Sequence, residues 1–479
     1  MTNATIKEAV TKMNEELSTL PVGDTGRVLD RLLLLEQIIG RQQVRQVLED
    51  TGCFDSRRCR LSRELIFWLV LAMGLFTDLP YRQIFKVCRR LWPGESTPHR
   101  SSICLARQRL GVAPLRCLFH RVVRLLTTPQ TPGAFYKGWR LMALDGSVYN
   151  VPDSPANAAA FGRASAGPRG DGAFPQVRKL SLVEVGSHAE IAFAVKGIKA
   201  AGSAEQRMAP ALIRRLQADM LLLWDRGFLG YPLWQRVVTQ GCQLLARVKS
   251  NLQLPIHQPL ADGSYLSQLY PCVGERSKDR NGQVVRVIRY TLNDPQRVGH
   301  SQEHVLLTTL LDATLYPALE LVLLYHERWE IELVFDEQKT HQHGWRATKP
   351  ADLRSQTPAG VMQELYALSL GHFVVRSVMA ESASRQGLDA DRLSFVGCLQ
   401  ILRCRMPECP PVESLSFWGW YEALLAEVGR ERTDDVVRRN RINPRVVKVK
   451  MSKFKKKRPE HRPVPPLTKT FIETVVMLC

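Results

Sequence analysis

The apolar residues of this chain change their spacing near residue 136, and that change constrains the fold more than any other feature of the sequence. Upstream of it, apolar residues recur about every 3.6 positions, as in helices that bury one face. Downstream of it, three apolar runs with strand character follow one another, and further strands then alternate with helices. This order predicts an α/β fold in which a mixed sheet is flanked by helices.

Residues 1–135 are predicted to form a helical N-terminal domain. Its most apolar stretch, Leu65–Phe76, is too short for a membrane span, which needs about 20 residues, so we expect a buried core helix there. The helices are short, are joined by tight turns and are rich in arginine, which is compatible with a DNA-binding domain. A helical bundle with basic solvent-facing sides fits the same pattern equally well.

The rest of the sequence divides by composition and pattern. Residues 136–250 carry the first part of the sheet domain, and the turn-rich residues 251–317 predict a β-rich insertion. Residues 318–345 predict a long helix and residues 346–437 a helical C-terminal part. Residues 438–479 form a basic tail, which is expected to be solvated and to add salt-sensitive affinity for phosphates.

The chain is strongly basic, with 66 Lys and Arg against 46 Asp and Glu, a formal net charge of +20. Such an excess indicates a polyanionic partner, and nucleic acid is the first expectation, although RNA or a membrane surface would satisfy the charge as well as DNA. The eleven cysteines lack the paired C-x2-C spacing of zinc sites, so reduced thiols in a cytoplasmic protein are expected.

Two aspartates occupy comparable positions in the predicted sheet. Asp145 follows the apolar run LMAL, and Asp225 follows the apolar run LLLW. A carboxylate at the end of a buried strand is costly unless it is paired, hydrogen-bonded or bound to a cation. Neighbouring strand ends can bring two such groups together, and a divalent ion then relieves their repulsion. For either aspartate alone, a turn cap is the simpler interpretation.

Four polar residues in the segment 318–345 share a spacing. Tyr325, Arg328, Glu332 and Lys339 follow one another at steps of +3, +4 and +7, which keep side chains on one face of a helix. A solvated face with an Arg–Glu pair would explain the spacing too. The apolar side of the same helix is expected to pack on the sheet, and that packing would direct the polar edge toward the strand ends.

Taken together, Asp145, Asp225 and Glu332 could hold one or two Mg²⁺ ions, with Mn²⁺ as a substitute. Such a site suits phosphoryl transfer, in which one ion activates a water or a 3′-OH and the other stabilises the leaving oxygen. In this hypothesis Arg328 and Lys339 hold phosphates, and Tyr325 stacks or hydrogen-bonds on the nucleic acid.

These motifs resemble those of the DDE transposases of the insertion sequence four type. The family signature Y-x2-R-x3-E-x6-K is complete in YHERWEIELVFDEQK, and the two acidic motifs match as LDGS at Asp145 and DRGF at Asp225. The chain order of Asp, Asp, long insertion and Glu also agrees. The resemblance extends over roughly residues 30–430.

The resemblance implies a ribonuclease H-like catalytic core that is interrupted by the β-rich insertion. Asp145, Asp225 and Glu332 would be its metal-binding catalytic triad, while Arg328 and Lys339 would contact the backbone of the transposon ends. The double-stranded DNA partners would be terminal inverted repeats and target DNA, bound by a homodimer or a larger assembly. The family also implies a bacterial protein of the cytoplasm that is associated with the nucleoid.

Further DNA contacts are expected next to the strand ends. Arg226 follows the second aspartate directly, and Lys249 lies at the end of the last core strand, where alternation places it on the same side as Arg247. Some relatives cut the second strand through a DNA hairpin and use an aromatic residue of the insertion, so the route here stays open. The aromatic candidates are Tyr265, Tyr270, Tyr290 and Tyr316.

The leading hypothesis is therefore a transposase that cleaves transposon ends by metal-dependent phosphoryl transfer and joins the 3′-OH ends to target DNA. The alternative is a catalytically inactive or repurposed sequence-specific DNA-binding protein, for which the charge would serve equally well. A host repair or recombination nuclease on the same core would cut without specific ends.

Overall fold

The computed structural model describes residues 29–55, 59–89, 96–165, 170–249, 252–295, 297, 300–342, 352–411, 414–432 and 469–478. The N-terminal part is helical, as predicted. Its helices are α1 (Leu33–Ile39), α2 (Arg41–Asp50), α3 (Arg63–Leu75), α4 (Tyr81–Val87), α5 (Arg100–Leu110) and α6 (Ala113–Val122). The most apolar of them, α3, is buried along nearly its whole length, which confirms the prediction of a core helix.

A central sheet follows, with strands and covering helices in the predicted alternation. The strands of its first half are β1 (Phe135–Tyr136), β2 (Trp139–Asn150), β3 (Arg163–Ser165), β4 (Asp171–Glu184), β5 (Glu190–Gly197), β6 (Met220–Trp224) and β7 (Gln243–Val248). The helices between them are α7 (Pro155–Phe161), α8 (Glu205–Ile213) and α9 (Tyr231–Thr239). β2, β4 and β5 are antiparallel neighbours, whereas β6 runs parallel to both β2 and β7, so the sheet is mixed.

The segment predicted as a β-rich insertion extends the same sheet. It contains β8 (Gln258–Pro259), β9 (Tyr265–Leu269), the short α10 (Val273–Ser277), β10 (Gln283–Leu292) and β11 (His304–Thr308). β11 pairs antiparallel with β7, so the strand order is β3-β4-β2-β6-β7-β11-β10-β9-β8, with β5 on β4 and β1 on β2. The inserted strands therefore share hydrogen bonds with the core.

The long helix predicted for residues 318–345 is described as far as residue 342 and changes its winding three times. α11 (Ala318–Tyr325) passes into a 3₁₀ turn (His326–Trp329), then into α12 (Glu330–Asp336) and a π-helical segment (Glu337–Gln342). α13 (Pro358–Gln386), α14 (Phe395–Arg405) and α15 (Leu415–Val428) follow. α11 and α12 bury Leu321, Val322, Ile331 and Val334 against one face of the sheet.

The end of the chain corrects the prediction of a solvated tail at 438–479. Its lysine-rich stretch lies outside the described residues, but residues 469–478 return to the sheet as α16 (Phe471–Thr474) and β12 (Val475–Met477). β12 pairs antiparallel with β10, and the ring of Phe471 lies against that of His326 with centroids 3.4 Å apart. Phe471 and Val475 pack their apolar side chains against the core of the sheet. The basic composition of the tail did not predict this packing.

The N-terminal helices join the C-terminal helical part through a close crossing of α3 and α13. A Cβ atom placed on Gly74 would lie 1.9 Å from the carbonyl oxygen of Ala367, and one placed on Gly371 would lie 2.8 Å from the carbonyl carbon of Gly74. Both neighbours are backbone, which cannot turn aside, so the crossing requires glycine. No described helix is both long and apolar enough to cross a membrane.

Replacing Gly74 by alanine is expected to lower the free energy of unfolding by about 3 kcal/mol, because the two helices must move apart. Gly419, inside α15, is the matched control, since a Cβ there meets nothing within 4 Å. Gly419→Ala should leave stability unchanged or raise it by up to about 1 kcal/mol, because alanine favours helix. Urea unfolding of both variants tests this, and equal effects would contradict the close crossing.

Candidate active site

The first two acids lie side by side in the sheet. β2 and β6 pair in parallel, and their last pair is Leu144 with Trp224, so Asp145 and Asp225 are the next residues along the two neighbouring strands. The prediction that Asp145 ends its strand is wrong: β2 continues to Asn150, because residues past Asp145 keep pairing with β4. Asp145 instead marks the point where β2 loses its neighbour β6.

Asp145 and Asp225 interact electrostatically. Burial raises the pKa of Asp145, and the negative charge of Asp225 adds to that rise, while Arg328 and the N–H of Gly146 act against it. The Oδ1 atom of Asp145 accepts a hydrogen bond of 2.8 Å from the Gly146 N–H, and the Oδ1 atom of Asp225 accepts one of 2.7 Å from the Gly227 N–H. Each aspartate is thus held by the backbone that follows it.

Arg328 connects the helix to the sheet. Its guanidinium donates to Oδ2 of Asp145 at 3.1 Å and lies 3.8 Å from Oε1 of Glu332. The side chain of Arg328 is only 7% exposed, whereas that of Glu332 is 40% exposed. One buried cation therefore lies between two of the three predicted acids and offsets their charge in this structure.

The other two residues of the signature also contact β2 and β6. The hydroxyl of Tyr325 donates to the carbonyl oxygen of Trp224 at 3.2 Å, and Lys339 donates to the carbonyl oxygen of Val148 at 2.5 Å while its ammonium lies over the ring of Tyr149. The face of the helix that carries the signature residues therefore lies against the strands, as expected from the packing of its apolar side on the sheet. Tyr325 is buried, so in this structure it supports β6, and its predicted contact with DNA stays a prediction.

The remaining residues predicted to contact DNA differ in exposure. Arg226 and Lys249 are exposed near the ends of β6 and β7. Arg247 is half-buried and hydrogen-bonds to Nδ1 of His304 at 2.8 Å. Of the four tyrosines proposed for hairpin chemistry, Tyr265 and Tyr290 are buried, while Tyr270 and Tyr316 are partly exposed.

A further carboxylate, which the sequence argument missed, lies beside the two aspartates. Glu205 is the first residue of α8, and a Cβ atom on Gly146 would lie 2.3 Å from its Oε1 atom. Burial raises the pKa of Glu205 and Arg178 lowers it, while Asp145 and Asp225 both raise it. An acid in the first turn of a helix is common, so nothing in the local sequence distinguished Glu205.

The helix that carries Glu332 also takes part in a buried charge network, which the sequence argument missed as well. Nε of Arg376 on α13 donates to Oε2 of Glu337 at 3.0 Å, and the same guanidinium contacts His188. His188 lies 3.0 Å from Glu337 and 3.0 Å from Glu330, with its two ring nitrogens on different carboxylates. His188 itself lies in the turn between β4 and β5 at φ +58°, a conformation that non-glycine residues rarely adopt.

The same network contains the metal-ligand types His, Glu and Asp. Donor atoms of His188, Glu330 and Asp391 all lie within 4.8 Å of one another. An ion pair is the better account, because burial and Arg376 lower the pKa of His188 but Glu337 and Glu330 more than offset them and raise it to about 9. The protonated imidazole forms ion pairs with Glu330 and Glu337, so in this structure the cluster ties the helix to the turn between β4 and β5.

His188 gives the stability a defined pH dependence. Its pKa is about 9 in the folded state against 6.5 for the free side chain, so its contribution is complete below pH 6.5 and is lost as the pH rises through 9. The stability advantage of the wild type over His188→Gln should therefore be largest near pH 6 and shrink toward pH 9.5. Urea unfolding at both pH values measures it, and an advantage that grows with pH would contradict the charged histidine.

The two aspartates that follow the last residue pair of β2 and β6 fit a divalent metal. Carboxylate oxygens are the ligands that Mg²⁺ prefers, and the parallel register brings two of them to adjacent positions. Burial together with repulsion raises the pKa of Asp145, and a divalent cation would relieve both effects. Glu332 lies near the same region, because Arg328 contacts both Asp145 and Glu332.

Two family models match the chain and together cover more than half of it. The insertion element 4 transposase N-terminal model matches residues 29–120, and the transposase DDE domain model matches residues 138–369. The second match contains all three acids and the whole tyrosine-to-lysine signature. Together with the mixed sheet, it confirms the predicted fold class.

Individual proteins are similar as well. Transposase InsG for insertion sequence element IS4 from Escherichia coli (strain K12) is 29% identical over 433 residues, which are 88% of this chain and 93% of that protein. Putative transposase InsZ from the same organism is 25% identical over 186 residues, 39% of this chain and 60% of its own length. A cryo-EM structure of the piggyBac transposase synaptic complex with hairpin DNA matches 85% of this chain and 86% of that chain at 12% identity and a TM-score of 0.39, too low to support an argument. The chain therefore belongs to the insertion element 4 family of DDE transposases.

Proposed function

We propose that this transposase cleaves DNA at transposon ends with Asp145, Asp225 and Glu332 as its catalytic acids, and that the exposed 3′-OH then attacks target DNA. The observation that carries the proposal is the parallel register of β2 and β6, which makes Asp145 and Asp225 neighbours at the point where the strands part. Arg328 supports it from the helix, since it contacts Asp145 and lies 3.8 Å from Glu332.

The divalent ion in this proposal is Mg²⁺, with Mn²⁺ as a substitute, bound as one or two ions by the three acids. When bound, it supplies Lewis-acid activation of the attacking oxygen and stabilises the leaving oxygen. Arg328 offsets the charge of the acids before the ion binds, and it has the fork geometry to hold a phosphate afterwards. Tyr325, held by Trp224, keeps β6 and the helix in register.

The DNA partners in the proposal are terminal inverted repeats and target DNA, held by a homodimer or a larger assembly at the bacterial nucleoid in the cytoplasm. The net charge of +20 supports a partner of this kind. Lys339 is proposed to contact the phosphates of the transposon end together with Arg226 and Lys249. Residues 29–120, which match the family's N-terminal model, are proposed to take part in binding this DNA.

The test is cleavage of linear DNA that carries the inverted repeats, compared with the same DNA with scrambled ends, in the presence of Mg²⁺. We expect nicks only at the intact ends. A protein that binds the intact ends but never cuts would be the repurposed DNA-binding protein, and equal cutting of both substrates would make it a general nuclease.

The proposed phosphate contacts of Arg226 and Lys249 predict a change in salt dependence. Replacing either by glutamine should reduce the slope of log affinity against log salt concentration by about 0.9, because one phosphate contact releases about one counterion. Arg214 is the control, since it is exposed near the opposite end of β6, where α8 ends. Fluorescence anisotropy with labelled end DNA measures the slopes, and an unchanged slope in both variants would argue against these contacts.

A further inference from the structure

Gly146 has no conformational reason to be glycine. It lies within β2, pairs with Leu180 of β4, and is not among the residues with positive φ. Its missing Cβ instead leaves the space that the carboxylate of Glu205 fills, since the Oε1, Cδ and Cγ atoms of Glu205 would lie 2.3, 2.5 and 3.0 Å from a Cβ at this position. Glycine inside a strand often marks such a close approach.

The start of α8 is also tied to the second aspartate. The side chain of Gln206 donates a hydrogen bond of 2.5 Å to the carbonyl oxygen of Gly227, whose own N–H is bonded to Asp225. Glu205 is thereby fixed between the residue that follows Asp145 and the loop that follows Asp225. Its side chain is 33% exposed, so solvent and ions can reach it.

Local interactions do not account for this position. Arg178 forms an ion pair with Glu205, but its Nε atom lies 3.6 Å from Oε1 of Glu205, too far for a hydrogen bond. Its Nη1 atom donates to the carbonyl oxygen of Ser203 instead. An acid in the first turn of a helix stabilises the helix by about 0.3–1 kcal/mol, and that gain does not depend on a particular direction of its side chain. That gain does not require the carboxylate of Glu205 to lie beside Asp145 and Asp225, where their negative charges repel it.

We propose that Glu205 is a fourth carboxylate of the divalent-metal site, facing the ion that Asp145 and Asp225 hold. The inference rests on the proposed function, because it requires the ion to bind at those two residues. The four carboxylates face two cations, Arg328 and Arg178, so the site still carries more negative than positive charge, which a divalent ion would balance.

Calorimetric titration of the full-length protein with Mn²⁺ tests the inference without reference to activity. Glu205→Gln should weaken Mn²⁺ binding by about 10- to 100-fold, the range for residues that support a metal ligand set. Glu205→Asp should also weaken it, because the carboxylate retracts by one methylene while the charge at the helix start is kept. Arg178→Gln is the matched control, since it breaks the same ion pair from the other side and should not weaken binding.

The outcomes separate this inference from the proposed function. If Asp145→Asn abolishes Mn²⁺ binding but both Glu205 variants bind as the wild type does, the inference is overturned and the proposed function stands. If Asp145→Asn leaves binding unchanged, the proposed metal site itself is wrong. If Arg178→Gln weakens binding as much as Glu205→Gln does, the ion pair maintains only local structure and the inference fails.

Discussion

Replacing Asp145, Asp225 or Glu332 by its amide should slow cleavage of transposon-end DNA by about 10³-fold or more, while binding of that DNA is retained. The amides keep the shape of the side chains but remove the negative charges that hold a divalent ion, and metal assistance is worth several kcal/mol in the transition state. Loss of any one acid should cost nearly as much as loss of all three, because they act as one unit.

Asp219 provides the control for these variants. It lies next to the first residue of β6, near the opposite end of that strand from Asp225, and its carboxylate is 53% exposed. Asp219→Asn should cleave at the wild-type rate. A gel assay of nicking at fixed Mg²⁺ measures all four variants, and an amide variant at any of the three positions that cleaves normally would exclude that residue from the catalytic set.

Arg376→Met should lower the free energy of unfolding by about 3–5 kcal/mol. Arg376 is 3% exposed and is bonded to Glu337, whose carboxylate also contacts His188 and His372. Removing one partner leaves a buried charge without its compensation, which is far more costly than removing a surface pair. The network holds the segment that carries Glu332, so the variant should also cleave DNA more slowly.

The same helix offers a matched control for Arg376. Arg385, also on α13, is 41% exposed and pairs with Glu381 and Glu422 at the surface. Because solvent screens such pairs, Arg385→Met should lower the free energy of unfolding by about 1 kcal/mol at most. Urea unfolding compares the two, and equal losses would show that the buried network contributes no more than a surface pair.

The sequence predicted the part of the site that follows from local patterns. Apolar runs that end at Asp145 and Asp225 located two strands, and the regular spacing from Tyr325 to Lys339 located the helix and the face that contacts them. It did not predict that β2 continues past Asp145, because that extension depends on pairing with β4, a partner distant in sequence. Nor did it predict the 3₁₀ segment at His326–Trp329 or the π segment at Glu337–Gln342, for which the local sequence carries no pattern.

Residues whose role depends on tertiary contacts were missed for the same reason. Glu205 has the sequence signature of an ordinary helix start, and only the fold brings it to Gly146. Arg376 lies in a mostly apolar helix, where a single charged residue predicts no partner. Its partners, Glu337 and His188, come from two other segments of the chain. Phe471 lies just beyond a run of lysines, where composition indicated solvent.

Anomalous diffraction from crystals of the full-length protein grown with end DNA and Mn²⁺ tests the central claim most directly. We expect an anomalous peak between Asp145 and Asp225 at about 2.0–2.6 Å from their carboxylate oxygens, with Glu332 facing the same ion. A DNA-bound structure in which the three carboxylates share no ion, or in which Mn²⁺ binds at the cluster of His188, Glu330 and Asp391 instead, would contradict the account.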